Sequence, residues 1–169
     1  RILSPVLQQT ISSLMKGIVL AGGSGTRLYP ITRGVSKQLL PIHDKPMIYY
    51  PLSILMLMNI KKVIIITTSQ DQDLYKKLLK NSQNLGLSIT FLVQDQPRGI
   101  AESISISKKI IKNKKICLIL GDNIFYGQDL KKILNAEQKK IIGATIFSYQ
   151  VKNPKDFGIV EYNKNYKII

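Results

Sequence analysis

Strand-sized apolar runs alternate with helix-sized segments along the chain, and this alternation limits the fold more than any other feature. Val63–Ile66 and Ile116–Leu120 are typical of the runs. They fall far below the roughly 18–20 apolar residues needed to span a membrane. Strands spaced by helices predict an α/β domain, with a Rossmann-like, mainly parallel sheet and helices on both faces. At 169 residues the chain has room for one such domain with a sizeable core.

The pattern predicts strands at Lys16–Leu20, Lys62–Thr68, Ser88–Val93 and Ile116–Leu120, with two more strand-like runs at 143–150 and 158–162. Pro46 is placed to open a helix carrying Ile48, Leu52, Leu55 and Met56 on one face. Ser69 and Gln72 are spaced as a capping box for the next helix. Further helices are expected at Ile100–Ile111 and near Gln128–Glu137.

In open α/β sheets ligands bind beyond the carboxyl ends of the strands. Three polar features fall at such ends: the glycine-rich loop Ala21–Arg27, Gln94, and Asp122 within Gly121-Asp122-Asn123. The loop carries little side-chain bulk, so its backbone N–H groups can approach phosphate oxygens, and Arg27 adds a cationic fork. A tight strand-to-helix turn would explain the glycines equally well. The ATPase phosphate loop is excluded because no Gly-Lys-Ser/Thr tripeptide occurs. The dinucleotide fingerprint is excluded because, counting from Gly23 and Gly25, Leu28 stands where its third glycine belongs.

The run Leu20-Ala21-Gly22-Gly23-Ser24-Gly25-Thr26-Arg27-Leu28-Tyr29-Pro30, followed by Ser36-Lys37-Gln38-Leu39-Leu40-Pro41, resembles the signature of the sugar nucleotidyltransferases. Asp44-Lys45-Pro46-Met47-Ile48-Tyr49-Tyr50-Pro51 is similar to the thymidylyl branch of that family. The resemblance covers Met15 to Ile169. It implies a fold of the nucleotide-diphospho-sugar transferase type, and a reaction of dTTP with glucose 1-phosphate that yields dTDP-glucose and pyrophosphate. It assigns Arg27 and Lys37 as catalytic residues contacting the phosphates, and Gly22, Gly25, Thr26, Gln38, Gln94 and Gly99 to nucleotide binding. Asp122 would be a ligand of the cofactor Mg²⁺, a hard oxygen for a hard cation. Asn123 and Gly158 match positions on the sugar-phosphate side. Two positions depart from the pattern: Arg98 replaces a usual acidic residue, and Phe157 a common tyrosine.

The resemblance further implies a homo-oligomer, and a domain 15–169 that is truncated at its C-terminus and impaired in turnover. Residues 1–14 are expected to be an extension of unknown origin, without the apolar core and cleavage site of a secretory signal. The lone cysteine, Cys117, sits in an apolar run, and the cytoplasm is the expected compartment. Formal net charge is +15, with only four arginines and with lysines scattered over expected outer helix faces. That distribution describes a solvated surface, so neither a nucleic acid nor a membrane is expected as a partner. A UTP- or CTP-using nucleotidyltransferase and a non-catalytic, nucleotide-binding remnant stand as alternatives. His43, in a short loop, is assigned no catalytic role.

Overall fold

The computed structural model describes residues 15–169 apart from Ser24, Pro97, Ile141, Ile142 and Tyr166; the expected extension, 1–14, lies outside the described residues. Strand β1 (Met15–Leu20) leads into the glycine-rich loop and a series of short 3₁₀ turns. A two-stranded antiparallel ribbon of β2 (Pro41–Ile42) and β3 (Lys45–Pro46) then precedes helix α1 (Tyr49–Leu57). The remaining order is β4 (Lys62–Thr67), α2 (Gln72–Leu78), β5 (Ser88–Val93), α3 (Ile100–Ile111), β6 (Lys115–Leu120) and α4 (Leu130–Lys140).

The four longer strands form one sheet in the order β5-β4-β1-β6, with all three pairings parallel. Its centre is buried on both faces, which is why β4 reads as a continuous β-branched run. Side chains alternate between the faces. Met15, Val19, Val63, Ile65 and Ile119 pack with Leu52 and Leu55 of α1, Tyr75 of α2 and Leu134 of α4. Ile18, Ile64 and Ile66 point the other way and pack with Ile111 of α3. A Cβ on Gly17 would stand 2.6 Å from Leu55 Cδ1, so the glycine is what lets α1 lie close on β1. On α3, Ser103, Ser107 and Ile111 are buried at a spacing of four, and the two small serines allow the same close approach to the sheet.

Several local expectations are corrected. Pro46 does not open α1. Pro46 closes the β2–β3 ribbon, and the N–H groups of Met47 and Ile48 bond to the carbonyls of Leu40 (3.0 Å) and Gln38 (2.9 Å), so a turn at 47–48 separates the ribbon from the first helical residue, Tyr49. The buried residues of α1 include Leu52, Ile54 and Leu55, while Met56 is exposed.

The capping exchange also sits elsewhere. Thr68 Oγ1 accepts from the Asp71 N–H at 3.2 Å and donates to Asp71 Oδ2 at 2.7 Å, whereas Ser69 and Gln72 form no such box. Helix α4 starts only after Asp129, whose left-handed backbone (φ 57°) cannot lie inside a helix. The strand-like runs 143–150 and 158–162 enter no ladder. The described residues there show only the isolated bridge Tyr162–Ile168, because a strand-like run becomes a strand only with an edge to pair with.

Candidate functional site

Strand order reverses around β1: the chain runs outward through β4 and β5, then returns to place β6 on the other side. At such a switch point the loops beyond neighbouring strands diverge and leave a crevice at their carboxyl ends. Here the flanking segments are the glycine-rich loop after β1 and Gly121-Asp122 after β6. Both are anchored by hydrogen bonds that continue the sheet past its last residues. Ala21 N donates to Ile66 O (2.7 Å), Gly121 N to Leu20 O (2.8 Å), and Gln94 N to Thr67 O (2.9 Å).

Gly22, Gly25, Thr26, Arg27, Lys37, Gln38 and Asp122 line one recess of about 200 Å³. Gly25 has φ 57°, and a Cβ there would also press within 3.1 Å of Thr32, so the turn requires glycine. Thr26–Leu28 and Lys37–Leu39 are single 3₁₀ turns that bring Arg27 and Lys37 to the same recess. Lys37 Nζ meets Asp122 Oδ2 at 2.9 Å, with the two side chains 31% and 35% exposed. In partial solvent such a pair contributes at most about 1 kcal/mol. Its consequence is positional: a cation and a carboxylate from opposite flanks of the crevice are in contact. Arg27 is exposed and, among the described residues, has no ion-pair partner.

Beneath the recess lies a buried polar knot that sequence reading missed. Tyr75, fully buried on α2, brings its hydroxyl within 2.9 Å of Ser36 Oγ, 3.3 Å of Gln38 Oε1 and 3.3 Å of the Ala21 carbonyl. Ser36 Oγ also donates to Gln38 Oε1 at 2.8 Å. One hydroxyl thus ties the start of the glycine loop to the segment carrying Lys37 and Gln38. Burial pushes the Tyr75 phenol well above its ordinary pKa, so it stays a neutral hydrogen-bonding group. The only local signal was a tyrosine in a helix of lysines and leucines, which says nothing about partners 37 to 54 residues away.

A second, larger cleft of about 460 Å³ adjoins the first through Gly22 and Gly23 and extends to Tyr29, Thr32, Asp71 and Gln94. Gln94 is buried, and its Nε2 donates to Glu102 Oε2 (2.6 Å) and to the Gly99 carbonyl (3.3 Å). Gly99 stands before α3 with φ 96°, a left-side conformation that suits glycine. Arg98 Nε donates to Glu102 Oε1 at 2.9 Å, so the departure noted at Arg98 is matched by a carboxylate one helical turn on. The Gln94 hydrogen bond, followed by the Arg98 charge, holds the Glu102 carboxyl below its ordinary pKa.

Asn123 directly follows Asp122 and is exposed, and it lines neither recess. Gly158 is likewise outside both and has open space around its Cα. As for a metal, no group of three or more His, Cys, Asp or Glu gathers among the described residues. The single carboxylate of Asp122 fits Mg²⁺ in the mode where one or two carboxylates are joined by water and substrate phosphates, rather than as an all-protein cage. No helix among the described residues is long and apolar enough to cross a membrane.

A parallel sheet with a glycine-rich turn, two cations and an aspartate at its switch point defines an α/β protein with a polar crevice of the kind that receives anionic ligands. The model of the nucleotidyl transferase family matches residues 16–169, and the chain belongs to that family. Over 155 residues it is 55% identical to a glucose-1-phosphate thymidylyltransferase of Neisseria meningitidis, covering 92% of this chain and 54% of the relative. A Mycobacterium tuberculosis protein of the same name is 51% identical over 148 residues, covering 88% and 51%. Among solved structures, a Bacillus anthracis protein described as a glucose-1-phosphate thymidylyltransferase, in complex with a sucrose, matches with TM-score 0.83 and 37% identity, covering 92% and 62%. A UDP-glucose pyrophosphorylase complexed with UDP-glucose matches with TM-score 0.62 and 28% identity, covering 75% and 54%. The chain spans about half the length of the curated relatives it matches.

Proposed function

We infer that these residues form the nucleotide-binding part of a glucose-1-phosphate thymidylyltransferase site, which joins dTTP to glucose 1-phosphate and releases pyrophosphate. The observation that carries this is the convergence of the Gly22–Arg27 turn, Lys37 and Asp122 in one recess at the switch point. The identities of 51–55% with relatives named for that activity support the choice of substrates.

In this reading the triphosphate lies along the glycine turn, where backbone N–H groups face its oxygens and no side chain stands in the way. Arg27 and Lys37 meet the charge that develops as the sugar phosphate attacks the α-phosphorus in line. The chemistry needs positioning and charge more than a covalent nucleophile. Asp122 is the residue that would hold Mg²⁺, and the bound cation supplies further neutralisation of the phosphates. Gln38 and Gln94 offer amides to the nucleoside, and Gly99 gives it access to backbone. Asn123 and Gly158 belong to the sugar-phosphate side, and homo-oligomer formation comes from the same family resemblance. The compartment is the cytoplasm, where a lone thiol such as Cys117 stays reduced.

Equilibrium binding of dTTP with Mg²⁺ tests the proposal, with UTP and duplex DNA for comparison. Saturable dTTP binding, with DNA bound weakly and lost as salt rises, is the expected result. Tight DNA binding without nucleotide binding would refute it. A uridylyl-transferring site is the second reading, favoured by the likeness to the UDP-glucose pyrophosphorylase structure, and UTP outcompeting dTTP would select it.

A further inference from the structure

We propose that Glu102 is a positioning residue that decides which end of the Gln94 amide the larger cleft meets, and so favours a base with a ring N–H at N3 over one with a lone pair there. The inference rests on the nucleotide reading above and adds a residue and a selection rule to it.

An amide side chain presents an acceptor at one end and a donor at the other, and turning it over exchanges them. At Gln94 the choice is forced. The partners 2.6 Å and 3.3 Å from its nitrogen are a carboxylate oxygen of Glu102 and the carbonyl oxygen of Gly99. An ionised carboxylate and a carbonyl only accept, so the NH₂ end must face them and both its protons are engaged. Turning the amide over would set three acceptor oxygens against one another in a partly buried place. Arg98, bonded to the other Glu102 oxygen at 2.9 Å, keeps that carboxylate charged and oriented.

The Gln94 oxygen therefore faces the glycine loop, 3.8 Å from where a Cβ on Gly22 would stand, and accepts no hydrogen bond among the described residues. The cleft shared by Gly22 and Gln94 thus meets a bare acceptor and no amide donor. A thymine or uracil ring brings an N–H at N3, whereas cytosine brings a lone pair there and sets acceptor against acceptor. A base that covers this acceptor and leaves it unmatched binds about tenfold more weakly or worse.

Two measurements on the whole chain test this. The first is the side-chain amide signal of Gln94 by ¹⁵N NMR, identified by its loss in Gln94→Ala. The second is competitive binding of dTTP, N3-methyl-dTTP and CTP. Slow exchange of both Gln94 amide protons is expected, with dTTP favoured at least about tenfold over each competitor. Glu102→Gln places there an amide that can donate as well as accept. It should speed the exchange and bring the dTTP-to-CTP ratio below about threefold, at an unchanged melting temperature. Equal binding of dTTP and N3-methyl-dTTP by the unaltered chain overturns the inference, whether or not the variant folds. An unchanged ratio in a folded Glu102→Gln protein overturns it too. If none of the nucleotides binds while the protected amide signal is present, the nucleotide reading fails, and the selection rule fails with it.

Discussion

The carboxyl edge of the sheet and the segment after Gly143 contain similar kinds of residues and end in opposite states. At the sheet edge, polar groups are pinned. Ala21, Gln94 and Gly121 extend the backbone ladder, and the Tyr75 hydroxyl gathers Ser36, Gln38 and Ala21 beneath the glycine turn. After Gly143, apolar groups lie open: Phe147 is 49% exposed, Ile159 68% and Ile168 60%. Tyr149 and Phe157 form an edge-on pair of exposed rings, and Phe147 meets edge-on the half-buried Phe125, which itself packs against the core. The contrast shows that side-chain character alone does not produce order. A residue is held when a neighbouring element supplies what it lacks, whether a ladder partner, an apolar face or a hydrogen-bond acceptor.

Removing one apolar side chain from each region separates the two states most strongly. Ile65→Ala in the fully buried centre of β4 should cost about 2–5 kcal/mol in denaturant unfolding, through lost transfer and the cavity left behind. Ile159→Ala should stay within about 0.5 kcal/mol. Equal costs would mean that the C-terminal segment is packed as firmly as the sheet.

Tyr75→Phe probes the knot under the recess. It leaves Ser36, Gln38 and Ala21 short of a shared partner and should cost about 1–3 kcal/mol in the same assay. It should also weaken dTTP binding more than it perturbs the far side of the sheet, as followed by backbone amide shifts.

Gly25→Ala forces a Cβ onto a left-handed residue and against Thr32. A loss of about 1–2 kcal/mol is expected. It should be accompanied by a clear drop in dTTP affinity, since the strained turn is the part proposed to face the phosphates.

The smallest effect concerns Cys117, whose Sγ lies 3.7 Å from Met58 Sδ in the core. Burial pushes its pKa from 9.0 up to about 11. In the unfolded chain the thiol ionises near its ordinary value while the folded chain keeps it neutral. Stability is therefore unaffected below about pH 9, and falls as pH rises from there through the folded pKa. Unfolding titrations at pH 8 and pH 10 on the chain and on Cys117→Ala read this difference. At pH 8 the thiol should react with a disulfide reagent only when the chain is unfolded.

Much of the sheet was legible in the sequence because each strand's signal is local. The runs that became β1, β4, β5 and β6 are short, apolar and bounded, and α3 matched its expected limits at Ile100 and Ile111. What escaped depends on contacts between distant segments. Nothing near Pro46 announces that the N–H groups of Met47 and Ile48 turn back to Leu40 and Gln38. The runs 143–150 and 158–162 have the residue types of strands but meet no edge among the described residues. At the candidate site, the placement of the glycine turn, Gln94 and Asp122 was legible because each lies just beyond a strand, and that of Lys37 because it lies in the run after the turn. Tyr75 and Glu102 were not, since a tyrosine and a glutamate on ordinary helices acquire their roles only from what the fold sets against them.

In the proposed function, one recess at the β1–β6 switch point receives the phosphates of a nucleoside triphosphate. Calorimetric titration of Mg²⁺ and dTTP into the folded chain, and into Arg27→Ala, reads that occupancy. A single saturable site is expected in the unaltered chain and at least about tenfold weaker binding in the variant, with cooperative thermal unfolding preserved. Undiminished dTTP binding by a folded Arg27→Ala protein, or no binding by the unaltered folded chain, would contradict it.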